Sequence, residues 1–504
     1  MARKFAPKYR YSFENMYDLD VALTFDDIIL TPQSSKLQPG ECGITTKISD
    51  KIQLNTPFIS APMDTVTGFR MAKAMARHGG LGVIYRNKSN AHEQLDQVKA
   101  VKRSENWIIR DPVIIEADKP VSYAQELIID KGYSGLPVFE NGECKGFVTM
   151  RDLPEFRKAT GTVRDIMTPR SKFVTVTPDV TEEEAISRMG EEKVEKLLVF
   201  DGEQFEGMIV KKDIRNRRKV YPNGVRDENQ SLIAGAAVAP GDHNRVELLV
   251  DAGLDVLVID AANGGHIDVV NFTREIRDSY PTLSIMSGNV ATYEGAMDLL
   301  DAGADSIRTG IGAGATCTTR MVMGVGMPQL AAIYEVRCAA DDFIEENGKK
   351  SYVIADGGIR YSGDAIKAIA AGADASMMGN IFSGAKESPG EAYYHQGQLV
   401  KDLRGMGSEG AIKDGSLRYG ADQKRRILAE GIEGVVRYKG PVQGIIEDYD
   451  GALMTAMTKY IGNGKIKDFQ WGPTFVRQTL PGLIEGHPHD ILSIKEASNY
   501  QGRQ

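Results

Sequence analysis

The stretch that decides the fold is DVLVIDAANGG, residues 255–265, in which an apolar run ends in polar residues and glycine. The same pattern recurs further along the chain in LSIMSGNV (283–290), DSIRTGIGAG (305–314), YVIADGGIR (352–360) and DASMMGNIF (374–382). Apolar runs without polar alternation are typical of parallel strands that are buried on both faces. We therefore predict that each run is such a strand.

Amphipathic segments separate these runs, among them VVNFTREIRDSY (269–280) and YEGAMDLLDAGA (293–304). Strict alternation of strand and helix indicates a parallel α/β fold. The polar residues and glycines fall where the strands end, which is the rim that carries the active site of a (β/α)8 barrel. We predict a TIM barrel of the α/β class. A doubly wound sheet is the alternative, but no G-x-G-x-x-G motif opens the series in the context that such a sheet requires.

The middle of the chain contains an internal repeat. Residues 121–153 resemble residues 180–214, because both predict a helix, a strand, a turn (ENGE or DGEQ) and a second strand. A repeat of about 60 residues indicates paired structural units. We predict a barrel domain in two parts, residues 1–107 and 222–504, interrupted by a two-repeat domain at 108–221 whose ends lie close together.

The composition excludes several classes of protein. The 504 residues carry a formal net charge of -8, which argues against non-specific nucleic-acid binding. The four cysteines are scattered without a C-x-x-C pair, so neither a disulfide framework nor a zinc site is indicated. No apolar stretch is long enough to span a bilayer, and the basic start of the chain lacks the apolar run of a signal peptide. We expect a cytoplasmic protein that does not bind membranes.

Cys317 lies in the glycine-rich stretch GIGAGATCTTRMVMGVGMPQL, residues 310–330. As a thiolate it could attack an electrophilic ring carbon, from which hydride could then leave to a nicotinamide. Taken alone, a cysteine is more often a small, inert core residue. The glycines allow backbone carbonyls and amides to approach a ligand or an ion. Cys42, Cys144 and Cys338 lack such surroundings, and we interpret them as structural.

Ten motifs occur in a fixed order along the chain: LTFDDIILTP, SAPMDTVT, IMSGNV, G-x-G-x-G-x-x-C-T-T-R, GVGMPQL, ADGGIRYSGD, ESPGE, RGMGS, EGIEG and HPHDI-x-x-x-KEA-x-NY. This ordered set resembles the inosine 5'-monophosphate (IMP) dehydrogenase and GMP reductase superfamily, and the resemblance covers nearly the whole chain. The inserted repeat resembles a pair of CBS motifs, also called a Bateman module. For Cys317, the resemblance favours the nucleophile over the core residue.

The resemblance also implies a nucleotide site. Asp356 would hold the ribose hydroxyls, backbone amides after the last strands would hold the phosphate, and Met406 and Gly407 would contact the purine. The implied substrate-binding residues are Met63, Asn289, Arg308, Asp356, Gly358, Gly379, Asn380, Met406, Gly407 and Glu430. Three positions depart from the dehydrogenase pattern, because Ala315, Asn380 and Leu403 stand where the family usually has hydroxyl-bearing residues or glycine near the phosphate.

Two further ligands follow from the resemblance. The nicotinamide cofactor, NAD or alternatively NADP, would bind at Asp260, Asn263 and Gly310, with Asp260 on its ribose. Potassium would be held by the carbonyls of Gly312, Gly314 and Cys317. The residues Glu485, Gly486 and His487 would complete that site from a neighbouring subunit of a homotetramer or an octamer. Adenine or guanine nucleotides would bind the CBS pair.

Two reactions are compatible with these motifs. A dehydrogenase would convert IMP, NAD and water to XMP and NADH, and the pair Arg418–Tyr419 matches the water-activating dipeptide of its flap. A reductase would convert GMP and NADPH to IMP, ammonia and NADP. DAANGG and Glu409 favour the reductase, in which Glu409 with Thr319 could protonate the leaving amine. We favour the dehydrogenase, because only hydrolysis requires an added water-activating device. A third interpretation is a non-catalytic, nucleotide-sensing regulator.

Overall fold

The computed structural model describes residues 21–86, 90–104, 108–110, 112–130, 133, 135–153, 161–214, 221–414, 428–470 and 472–489. The chain divides into two compact units. The first comprises Met1–Lys102, Asn223–Asp227 and Leu232–Gln504, and the second comprises Arg103–Pro222 and Glu228–Ser231.

Eight parallel strands close into a barrel in the first unit. They are β1 (Phe58–Ser60), β2 (Leu81–Ile84), β3 (Gly235–Val238), β4 (Val256–Asp260), β5 (Ser284–Val290), β6 (Ser306–Thr309), β7 (Tyr352–Asp356) and β8 (Ala375–Met378). β8 pairs with β1, with Met377 opposite Ile59, and this pairing closes the barrel. The predicted TIM barrel is confirmed, and the five apolar runs of the sequence form β4 to β8.

A helix follows each strand. The helices are α1 (Phe69–Arg77), α2 (Ala91–Arg103), α3 (His243–Asp251), α4 (Ile267–Ser279), α5 (Tyr293–Asp301), α6 (Gln329–Asn347), α7 (Ser362–Ala370) and α8 (Val442–Thr455). Each helix turns an apolar face to the barrel; α4, for example, buries Val269, Phe272 and Ile276. α1 lies so close to β2 that a Cβ on Gly82 would overlap Ala72, which explains the glycine in that strand.

Three aspartates share one arrangement at the amino ends of the strands. Asp255, Asp305 and Asp374 stand directly before β4, β6 and β8. Each accepts a backbone N–H at the start of the preceding strand, from Ala234 at 2.8 Å, Ile285 at 2.9 Å and Val353 at 2.8 Å. Each also pairs with a cation, which is Lys102, Arg277 or Arg337. These contacts stabilise the end of the barrel that is remote from the carboxyl-terminal rim.

Shorter elements surround the barrel. The strands form an Ile28–Leu30/Phe475–Arg477 pair, a Thr46–Lys47/Gln53–Leu54 pair and a three-stranded sheet of Tyr393–His395, Gln398–Arg404 and Glu433–Arg437. The helices and helical turns are Phe25–Asp27, Pro39–Glu41, Thr319–Val322, Asn380–Ser383, Glu409–Lys413, Ala456–Ile461, Ile466–Phe469 and Leu480–Glu485. Among the helices that the structure describes, none has the length and apolarity needed to cross a membrane.

The second unit contains two four-stranded sheets. In spatial order, the first sheet consists of Ile115–Glu116, Leu136–Glu140, Glu143–Val148 and Thr168–Pro169, and the second of Ile108–Ile109, Gln204–Val210, Lys196–Asp201 and Thr175–Val176. Its helices and helical turns are Val121–Gln125, Glu126–Asp130, Met150–Asp152, Val163–Ile166, Arg170–Lys172 and Glu182–Glu191. Each repeat contains the expected helix, followed by an antiparallel hairpin whose turn includes a left-handed glycine, Gly142 or Gly202.

Candidate active site

A cavity opens at the carboxyl-terminal rim of the barrel. The segments that follow β1, β4, β6, β7 and β8 line it, together with Asn289 of β5 and parts of 403–407 and 430–431. The structure brings together fifteen of the residues named from the sequence: Met63, Asn289, Arg308, Gly310, Gly312, Gly314, Cys317, Thr319, Asp356, Gly358, Gly379, Asn380, Met406, Gly407 and Glu430. Parallel strands place their carboxyl ends at one edge, so side chains far apart in sequence meet there.

Other candidate residues do not line the cavity. Asn263 is exposed, and its Oδ1 accepts the backbone N–H of Gly265 at 3.2 Å. Glu485, Gly486 and His487 lie at the end of the helix Leu480–Glu485 and just beyond it. Arg418 and Tyr419 lie outside the described residues.

The loop that carries Cys317 is held by the segment 430–432. Thr318 N donates to Glu430 O at 2.8 Å, and Ile432 N donates to Thr316 O at 3.0 Å. The same segment bonds to the loop 405–407, because Glu430 N donates to Gly407 O at 2.9 Å and Gly405 N donates to Ile432 O at 3.0 Å. Residues 430–432 therefore fix the cysteine loop against the predicted purine-contacting loop.

Gly431 lies in the middle of this bridging segment. A Cβ at this position would stand 3.1 Å from Ser408 N and from Thr316 O, so both backbones would have to move by a few tenths of an ångström. We expect Gly431→Ala to lower kcat/KM about tenfold, because small misplacements of reacting groups are costly. Steady-state kinetics checks this against Gly434→Ala, whose Cβ would meet nothing within 4 Å. Equal kinetics in the two variants would contradict the role of the segment.

The thiol of Cys317 lies next to a hydroxyl that lies next to a carboxylate. Cys317 Sγ is 3.1 Å from Thr319 Oγ1, and Thr319 Oγ1 donates to Glu430 Oε2 at 2.7 Å. Because the hydroxyl proton of Thr319 points to Glu430, the thiol is the donor in the contact between Cys317 and Thr319. The arrangement provides a path for a proton from sulfur to carboxylate.

The proposed pairing of Glu409 with Thr319 does not match this geometry. Glu409 begins a short helix, its side chain is 74% exposed, and it lies 4.0 Å from Lys413. The carboxylate that reaches Thr319 belongs to Glu430, which the sequence analysis placed among the substrate-binding residues. The EGIEG motif identified Glu430 as a candidate residue. Its distance from Cys317 in the sequence did not predict the hydrogen bond between Glu430 and Thr319.

A buried ionic network crosses the floor of the cavity. Arg308 is 1% exposed; it pairs with Asp260, and its Nε lies 3.6 Å from Asp356 Oδ2. Asn289 Nδ2 donates to Asp356 Oδ2 at 2.9 Å and to Gly310 O at 2.8 Å. The network joins the two carboxylates that the sequence assigned to two different riboses. Asp260 itself is not among the residues that line the cavity.

The segments after β7 and β8 contribute glycines and Asn380 to the cavity. Gly357 and Gly358 both have positive φ, at 91° and 77°, and Gly379 and Asn380 follow β8. Ala315 and Leu403, two of the departures from the family pattern, also line the cavity. Lys439 Nζ donates to the carbonyls of Asn380 and Ile381 at 3.2 and 3.0 Å, and burial lowers the pKa of Lys439 to about 8.

The candidate cation site consists of backbone oxygens. Among the described residues, no group of three or more His, Cys, Asp or Glu side chains could hold a metal ion. Gly312 has a φ of 82°, and Gly314 O already accepts the N–H of Cys317 at 3.1 Å while keeping a second lone pair. Carbonyl oxygens of this kind suit an alkali cation.

Comparison with known proteins identifies the family. A family model described as "IMP dehydrogenase / GMP reductase domain" matches residues 22–489.

The chain belongs to the IMP dehydrogenase / GMP reductase family.

Relatives within this family support the assignment. The inosine-5'-monophosphate dehydrogenase of Aquifex aeolicus is 42% identical over 486 residues, which are 95% of this chain and 97% of that protein. The enzyme of the same name from Bacillus subtilis is 42% identical over 485 residues, with the same two coverages. A cysteine-to-alanine variant of GMP reductase from Trypanosoma brucei, solved with guanosine 5'-monophosphate, has a TM-score of 0.86 and 33% identity, covering 95% of this chain and 100% of that one.

Proposed function

We propose that this chain is an IMP dehydrogenase that oxidises IMP to XMP with NAD and water through a covalent bond between Cys317 and the purine. One observation carries the proposal: a cysteine at the rim of the barrel lies in the cavity beside Thr319 and Glu430. The 42% identity to two enzymes named inosine-5'-monophosphate dehydrogenase, over nearly their whole length, supports the choice of reaction.

The first step activates the thiol. The proton of Cys317 passes to Thr319 as the hydroxyl proton of Thr319 passes to Glu430, along contacts of 3.1 and 2.7 Å. This transfer leaves a thiolate, which is the nucleophilic form of cysteine. The sulfur then bonds to C2 of IMP, the hydrogen-bearing carbon between N1 and N3, and the hydrogen leaves C2 as hydride.

NAD, when bound, supplies the acceptor for that hydride. Asn289 fits a nicotinamide group, because its Oδ1 is buried and has no hydrogen-bond partner among the described residues. This oxygen can accept an N–H bond, such as one from a carboxamide. Arg308 fixes the carboxylate of Asp260, which we assign to the ribose of the cofactor.

The second half of the reaction is hydrolysis. Water bonds to C2, the carbon–sulfur bond breaks with its electron pair returning to Cys317, and the oxygen stays on C2 as the new oxo group of XMP. Protons leave the water through a base. We assign this role to Arg418 with Tyr419, which lie outside the described residues, and the Thr319–Glu430 pair offers a second route.

Replacing Arg418 by alanine should slow hydrolysis more than hydride transfer. The expected record is a burst of NADH followed by a steady rate lower by about 10²-fold, which is typical for loss of a general base. Rapid-mixing absorbance at the NADH band, with the wild type run alongside, measures both phases. Equal slowing of burst and steady rate would contradict the assignment of Arg418 to hydrolysis.

The remaining cavity residues bind the nucleotide and an ion. We assign the ribose hydroxyls to Asp356 and the phosphate to backbone amides at Gly358, Gly379 and Asn380. The amides would compensate for the hydroxyls that Ala315 and Leu403 lack. We assign potassium to the carbonyls of Gly312, Gly314 and Cys317.

The second unit and the assembly complete the proposal. We assign the two-repeat unit to regulation by adenine or guanine nucleotides, and the assembly to a homotetramer that can pair into an octamer. The regulation and the octamer rest on the resemblance of the repeat to CBS motifs, and the tetramer rests on the resemblance of the chain to its family. The scattered cysteines, all four of them free, agree with a cytoplasmic location.

GMP reductase is the second candidate function. The 0.86 TM-score to a GMP reductase that was solved with its nucleotide favours it. In that reaction Glu430, through Thr319, would protonate the amine that leaves C2 of GMP, the role first given to Glu409.

A paired absorbance assay with potassium present separates the two reactions. One cuvette holds IMP with NAD, and the other holds GMP with NADPH. We expect reduced nicotinamide to rise in the first and to stay constant in the second. A fall in reduced nicotinamide in the second cuvette, with release of ammonia, would establish the reductase. No change in either cuvette would favour a nucleotide-sensing regulator.

A further inference from the structure

Arg404 connects the predicted purine-contacting loop to the segment after β1. Arg404 ends the strand Gln398–Arg404 and directly precedes Gly405, Met406 and Gly407, all of which line the cavity. Asp64 directly follows Met63, another lining residue, which belongs to the segment after β1. The positions of Arg404 and Asp64 next to these residues mean that a contact between them joins two cavity walls.

The contact is extensive and buried. Arg404 Nε lies 3.0 Å from both carboxylate oxygens of Asp64, and Arg404 Nη2 donates to Asp64 as well. The side chains are 11% and 2% exposed, respectively. A planar guanidinium that meets both carboxylate oxygens fixes orientation as well as distance.

Arg404 reaches two further points on these elements. Its backbone N–H donates to Thr65 Oγ1 at 3.3 Å, which ties the start of the loop to the segment after β1. Its Nη1 donates to Asp414 Oδ2 at 2.8 Å, just beyond the short helix Glu409–Lys413 that follows the loop. One side chain thus holds both ends of residues 405–413 against the rim.

We infer that Arg404, through its pair with Asp64, is a positioning residue for the purine ring: it sets the loop 405–407 that the base contacts and leaves the ribose and phosphate contacts unchanged. The inference rests on the proposed function, since it assumes that the loop 405–407 contacts the purine. The ribose residue Asp356 ends β7, and the phosphate amides lie after β7 and β8; among the described residues, Arg404 makes no hydrogen bond or ion pair with any of them.

The test compares a ligand that has a purine with one that lacks it. Affinities for IMP and for ribose 5-phosphate are measured on the full-length protein by equilibrium dialysis. We expect Arg404→Lys to weaken IMP binding about tenfold while ribose 5-phosphate stays within about twofold, because a lysine keeps the charge but cannot bond both carboxylate oxygens and Asp414 together. In turnover, KM for IMP should rise more than kcat falls.

Arg277→Lys is the matched control. Arg277 pairs with Asp305 at 2.6 Å, at side-chain exposures of 17% and 18%, but at the amino end of the barrel. We expect this variant to bind both ligands like the wild type. If Arg404→Lys behaved like Arg277→Lys, or lost both ligands equally, the inference would be overturned.

A milder variant covers the case in which Arg404→Lys does not fold. Thr65→Val removes only the oxygen that accepts the backbone N–H of Arg404, and we expect it to weaken IMP about threefold without affecting ribose 5-phosphate. An unchanged affinity for IMP in this variant would also count against the inference. If the wild type bound no purine nucleotide, both the proposed function and the inference would be wrong. If the wild type bound IMP and the variants bound it equally well, only the inference would be wrong.

Discussion

Cys317→Ala should abolish turnover while leaving the fold and the binding of IMP intact. Alanine removes only the sulfur, which sits in a half-buried position on a loop fixed by backbone hydrogen bonds. Without it neither the covalent bond to C2 nor the hydride departure that follows is possible. We expect a loss in kcat of about 10⁴-fold or more, the scale seen when a nucleophile is deleted.

The other cysteines provide the control. Burial raises the pKa of Cys42, Cys144 and Cys338, in the case of Cys144 to about 11, so these thiols are poorly ionised near neutral pH. Cys338→Ala should therefore keep activity within about twofold of the wild type. Mass spectrometry of the protein quenched during turnover should show a purine adduct in the wild type and in Cys338→Ala, and none in Cys317→Ala. Residual turnover in Cys317→Ala, or a loss of assembly that accounts for its inactivity, would contradict the nucleophile.

The barrel could be predicted because its strands carry a local signal. β4 is apolar at every position before Asp260, and all of its residues are buried, as are those of β5 and β6. A strand covered on both faces leaves no room for polar alternation, so the pattern in the sequence and the burial in the structure have the same cause. The glycines and polar residues that end these strands indicated the position of the rim. Cys317 follows one of these strands, so its place at the rim could be predicted as well.

Partners across the cavity could not be predicted in the same way. Glu430 meets Thr319 across 111 positions of sequence, and Arg404 meets Asp64 across 340. No local spacing encodes such contacts, because they depend on how the loops of different strands return to the rim. The resemblance to the reductase motif therefore suggested Glu409, whereas the structure brings Glu430 to Thr319, next to the cysteine.

Substitution of Glu430 tests which of the two glutamates takes part in proton transfer. We expect Glu430→Gln to lower kcat about 10²- to 10³-fold, because glutamine can keep the bond to Thr319 but cannot receive its proton. Thr319→Val, which preserves shape and removes the hydroxyl, should cause a loss of similar size. The double variant should be hardly worse than either single variant, since residues that act as one path do not contribute independently.

Glu409→Gln distinguishes a proton path from a general need for negative charge near the cysteine. This substitution also removes one carboxylate, but from a side chain that is 74% exposed and bonded to neither Cys317 nor Thr319. We expect its kcat to stay within about twofold of the wild type, because isolated surface charges contribute little. Steady-state kinetics measures kcat for all four variants under the same conditions. A loss in Glu409→Gln equal to that in Glu430→Gln would mean that the carboxylates act by charge and that the contacts of 3.1 and 2.7 Å do not carry the proton.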